Sequence, residues 1–138
     1  MEKEFIPYEQ ALALKELGFN EECLACYTEN AIGIGDKLQF LVTPISCNDD
    51  YVFVSAPTFS QVFRWFRDKH NLLLDIVAYY DESQLPLTYN NRQKPKGYFV
   101  WDLYDENFSE DKALKFKTYE EAELECLKKL IEIVKEQK

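Results

Sequence analysis

The chain has 138 residues, 46% hydrophobic and 15% aromatic, with 25 acidic against 16 basic side chains and a net charge of −9. That length and apolar content suit one domain with a core that needs neither disulfide nor metal, and argue against whole-chain disorder. The charge repels phosphate backbones and anionic bilayers over roughly 10 Å, against general nucleic-acid binding, and no apolar run approaches the ~20 residues of a membrane span.

Met1-Glu2-Lys3-Glu4-Phe5 lacks the basic-then-apolar order of a secretory signal, so the expected setting is a cytoplasm with reduced thiols at Cys23, Cys26, Cys47 and Cys126. Pro7 opens a helix over Tyr8–Leu17, whose apolar positions are Ala11, Leu14 and Leu17, widened by Leu12. Gly18 closes it as the left-handed residue, with Phe19 set to meet Leu14 in a Schellman motif. Cys23–Thr28 and Lys37–Thr43 predict two strands of an antiparallel hairpin, joined by a turn or flexible connection over Glu29–Asp36. Asn48-Asp49-Asp50 is a turn signal, and Tyr51–Ser55 a short strand.

Thr58 with Gln61 three residues on is a capping box for a second helix, which carries Phe59, Val62, Phe63, Phe66 and His70 on one stripe and ends at Asn71. Leu72–Tyr80 reads as a strand, Asp81–Lys96 as a long connection or hairpin tip, and Gly97–Tyr104 as a further strand. Alternation along that strand sets Tyr98, Val100, Asp102 and Tyr104 on one side and Phe99, Trp101 and Leu103 on the core side. Asp105–Lys115 reads mostly as loop. Thr118 and Glu121 cap the last helix, whose stripe is Ala122, Cys126, Leu127, Leu130, Ile131 and Val134. The expected fold class is α+β: a mainly antiparallel sheet of four to five strands, with about three helices packed largely on one face.

Three segments, Phe5–Leu12, Thr58–Arg67 and Phe116–Glu123, are similar to those of small uncharacterised proteins of bacteriophages and prophages of gut Bacteroidota. The resemblance spans most of the ordered chain; Thr28–Asp50 and Asp81–Lys96 are less typical. It rests on caps and core positions. It implies a viral accessory protein in a bacterial host cytoplasm, and it carries over no catalytic residue.

Candidates for chemistry are sparse. Cys23-x-x-Cys26 invites a metal or redox reading, with Cys47, His70 and Cys126 as further ligands. On a regular strand Cys23 and Cys26 point to opposite faces, which favours ordinary packing. His70 could act as a general base oriented by Asp75 or Asp68, with Ser60 as nucleophile; a helix-end histidine and a first-turn serine already have structural reasons to be there. Asp75 and Asp102 could flank one sheet surface and hold a cation, or simply face solvent. Arg92, Lys94 and Lys96, with Tyr89 and Tyr98 nearby, form the main basic patch.

No cofactor, metal or catalytic set is expected. The aromatic excess points instead to an interaction protein using Tyr79, Tyr98, Asp102 and Tyr104 against a host or phage protein or a second copy. The rival readings are a nucleotide-like small-ligand module with contacts from Arg92, Lys94, Tyr98 and Trp101, and a hydrolase built on His70.

Overall fold

The computed structural model describes residues 2–28, 37–49 and 53–137. The elements are α1 (Tyr8–Glu16), β1 (Cys23–Thr28), β2 (Leu38–Ile45), β3 (Phe53–Ser55), α2 (Phe59–His70), β4 (Asp75–Tyr79), β5 (Gly97–Trp101) and α3 (Tyr119–Glu136). Among the described residues every strand pairing is antiparallel, giving an α+β protein. The five strands do not share the one sheet expected of them. They divide into a three-stranded sheet, β2-β1-β3, and a two-stranded hairpin, β4-β5. Each strand pairs with a near neighbour in sequence, which keeps the closed loops short. Along the chain, α2 falls between the two groups. The chain forms two compact units, Met1–Asn71 with Ile131–Lys138, and Leu72–Leu130.

In the first unit, α1 ends as its sequence dictates. Gly18 sits at φ +93°, its N–H donates to the Lys15 carbonyl, and the Phe19 N–H donates to the Leu14 carbonyl at 3.0 Å. Phe19 then packs edge-on against Trp65 of α2 at 5.4 Å, inside a core that includes Ile6, Leu14, Val54, Val62 and Phe66. Thr58 Oγ1 accepts from the Gln61 N–H, and Asn71 closes α2 in the left-handed region at φ 53°. Asn48 ties the turn before β3 to its surroundings: its amide donates to the Phe19 carbonyl, and its oxygen accepts from the Ser55 N–H. The expected connection over 29–36 and residues 50–52 lie outside the described residues.

β2 runs two residues beyond its expected end, through Pro44. An edge strand tolerates a proline, and β2 is one of the two outer strands of its sheet. Its pairing with β1 also breaks, since Cys23 is opposite Ile45 but Ala25 is opposite Phe40. Residues 41–44 therefore bulge out of the ladder.

In the second unit, β4 and β5 pair from Asp75↔Trp101 to Tyr79↔Gly97. Both strands are shorter than expected. Leu72 and Leu74 are buried ahead of β4 without joining the ladder. Beyond β5, Phe116 pairs with Tyr98 through two backbone hydrogen bonds, 2.8 and 2.7 Å. α3 begins at its expected cap, where Thr118 Oγ1 accepts from the Glu121 N–H at 3.2 Å. All six residues of its expected stripe, Ala122 to Val134, are buried.

Candidate interaction surface

Antiparallel partners point to the same side of a ladder, so the β4–β5 register sorts the predicted site residues. Asp75, Val77 and Tyr79 share one face with Gly97, Phe99 and Trp101; Ile76 and Ala78 share the other with Tyr98 and Val100. Tyr79 and Tyr98 are therefore on opposite faces and do not form the single tyrosine surface expected. Tyr98 packs edge-on against Tyr119 of α3 at 5.6 Å. Tyr79 lies beside Phe99 on the opposite face, at 6.4 Å.

The strand ends at Trp101, and from Trp101 to Leu103 the expected inside and outside do not hold. Phe99 is buried as expected, but Trp101 is 40% exposed and Leu103 is also exposed. Asp102, expected on an open surface, is only 8% exposed. Its carboxylate accepts from the Tyr104 N–H at 2.9 Å and pairs with Lys129 of α3 at 3.0 Å. Losing the strand geometry frees Asp102 to organise a turn, a common use of aspartate. Tyr104 is exposed, and its hydroxyl accepts from the Leu73 N–H.

Burial by itself would raise the Asp102 carboxyl. The Tyr104 N–H, the Lys129 hydrogen bond and charge, and the Asp105 N–H more than offset that and hold it below its ordinary value of 3.8. A folded value below the unfolded one contributes stability above pH 3.8, lost as pH falls through the folded value. Asp102→Asn should therefore destabilise the protein at pH 7 and do so less at pH 3, below the ordinary value of 3.8. Urea unfolding of both proteins at the two pH values checks this, and an equal gap at both would reject the ion pair as its source.

The basic patch lies on the β4–β5 connection, which is stitched by its own hydrogen bonds. The Lys96 N–H donates to the Tyr79 carbonyl, Lys96 pairs with Asp81 at 3.4 Å, and Asp81 and Gln84 form a reciprocal capping box. Thr88 and Asn91 close a tight turn, and the Asn91 amide donates to the Pro86 carbonyl. Tyr89 stands at the tip, 93% exposed, with exposed Leu85, Leu87 and Arg92. Leu87, Thr88, Tyr89 and Arg92 line a shallow hollow of about 340 Å³. Lys94 is exposed on the same loop. The sequence offers Arg92 and Lys94 only as possible ligand contacts and basic-patch residues, and does not single out Leu85 and Leu87. Their alternation with Tyr89 inside a polar stretch was the available signal.

The pocket expected from Arg92, Tyr98 and Trp101 does not assemble. Arg92 lies in the loop hollow, Tyr98 against Tyr119, and Trp101 against Phe108 at 4.9 Å. The hydrolase set is no better supported. His70 packs against Trp65 at 4.8 Å and Phe66 at 5.9 Å in the last turn of α2, while Ser60 is exposed in the first turn.

Cys23 and Cys26 are both buried, as ordinary packing would have them, and each lies near Cys47. Burial pushes the Cys23 thiol up to about 12 and the Cys26 thiol up to about 11, so both stay protonated and weakly nucleophilic at neutral pH. Among the described residues no group of three or more His, Cys, Asp or Glu is placed to hold a metal, and no helix is long and apolar enough to cross a membrane. Compared with family models, curated proteins and solved structures, the chain matches none.

Proposed function

We propose that the protein acts by binding another protein through the β4–β5 loop. The observation that carries this reading is Tyr89, almost wholly in solvent at the tip of an internally bonded loop, beside Leu85, Leu87 and Arg92. Exposed apolar side chains lose water on binding, and tyrosine and arginine are the residues most enriched at energetic centres of interfaces. A loop ordered before binding loses less entropy when the partner arrives. The resemblance to phage proteins makes a host or phage protein in a bacterial cytoplasm the expected partner, with a second copy as the alternative.

Capture from the lysate of a bacterial host, with the recovered partner then purified and titrated, tests the reading. The double variant Tyr89→Ala with Arg92→Ala should weaken the partner at least about tenfold while circular dichroism stays unchanged. A partner held as tightly by the double variant would remove the loop from the interface. Light scattering across concentration separates self-association from binding to another protein.

A further inference from the structure

The base of the same hairpin, next to the Tyr79–Gly97 pair, holds a cation on aromatic rings. Phe116 is fixed to Tyr98 by two backbone hydrogen bonds, and Tyr98 points to the α3 side. Side chains alternate along extended chain, so Lys115 emerges on the other side. Its ammonium stands 4.3 Å from the centroid of Phe99 and 5.6 Å from that of Tyr79. Gly97 makes this possible. With no side chain there, the Tyr79 ring lies across the strand where a Cβ would be 2.6 Å from its hydroxyl. Phe108 stacks on Phe99 at 6.3 Å and touches Trp101, extending the aromatic wall towards solvent.

Ring faces carry negative potential, so they attract cations. Here the ammonium also donates to the Glu110 carbonyl, and among the described residues it has no carboxylate within salt-bridge distance. A site that holds positive charge by ring faces without a counter-ion favours weakly hydrated cations, which lose least on leaving water. We infer that Tyr79, Phe99 and the adjoining Trp101 and Phe108 form a binding site for a quaternary ammonium group, kept closed by the chain's own Lys115. The lysine is a tethered stand-in for the ligand. Being tethered, it competes at high effective concentration, so a free cation binds the wild-type protein weakly. Displacing it opens the rings. None of its residues is among the loop-tip residues Leu85, Leu87, Tyr89 and Arg92, and it does not depend on the protein-binding reading.

Choline and its neutral isostere 3,3-dimethylbutan-1-ol are titrated at constant ionic strength into wild type, Lys115→Gln and Lys115→Met, reading indole fluorescence, with Trp101→Phe identifying the Trp101 signal. Circular dichroism selects the variants that are folded; the methionine variant keeps the apolar stem if glutamine does not fold. Lys115 replacement should tighten choline about tenfold, and choline should exceed the neutral alcohol by about tenfold. Adding Tyr79→Leu should reverse most of the gain. A peptide bearing trimethyl-lysine that outcompetes choline would make a protein tail the source of the group; choline matching the peptide would make it a free cation. Equal binding of choline and alcohol by a folded Lys115 variant, or no saturable response to choline or to the peptide, would overturn the site.

Discussion

Leu127→Ala should lower the unfolding free energy by about 2–5 kcal/mol. Leu127 has 0% of its surface exposed, in the middle of the buried α3 stripe. Truncation removes apolar atoms that lose contact with water on folding, and it leaves a cavity that the packed neighbours fill only in part. Alanine is the better helix former, so propensity does not explain a loss. Leu124, half-buried in the second turn of the helix, should cost distinctly less when truncated. Urea denaturation of both variants measures the contrast. Equal costs would mean that the stripe does not define the core side of α3.

Gly97→Ala should cost about 1–3 kcal/mol, through crowding alone. The added Cβ would lie 2.6 Å from the Phe116 carbonyl oxygen and 2.6 Å from the Tyr79 hydroxyl. The tyrosine ring can swing aside, but the carbonyl is held by the Tyr98 N–H at 2.8 Å. The substitution should therefore loosen the Tyr98–Phe116 pairing, and with it the position of Lys115. Hydrogen exchange at the Tyr98 and Phe116 amides reads that directly. Unchanged protection in the variant, with unchanged stability, would show that the pairing yields at no cost. Gly18→Ala is a different case. An added Cβ there meets nothing within 4 Å, so any loss would come from the left-handed backbone alone.

The helices were legible because their signals are local. Thr58 and Thr118 cap α2 and α3 where their spacing to Gln61 and Glu121 says, and Gly18 closes α1 with the expected bonds. A cap is satisfied within one turn and needs no knowledge of the rest of the chain. The candidate surface was only partly legible. The basic residues Arg92 and Lys94 stand exposed on their loop, whereas Tyr98 and Asp102 do not lie on the open face that alternation predicts. Alternation gives relative sides within a strand and says nothing of where the strand stops. One residue past Trp101 the rule no longer applies, and Asp102 turns inward to Lys129.

The amino-acid sequence by itself determined three amphipathic helices with their ends, five strand segments close to their observed places, and an acidic chain whose apolar stripes turn inward. Tertiary structure alone decided the division of the strands into two sheets, the approach of Cys23 and Cys26 to Cys47, and the seating of Lys115 on Phe99. Each of those outcomes depends on how separate segments of the chain are set against one another. Register is chosen by summed packing and hydrogen bonding over both partners, so no single segment encodes it.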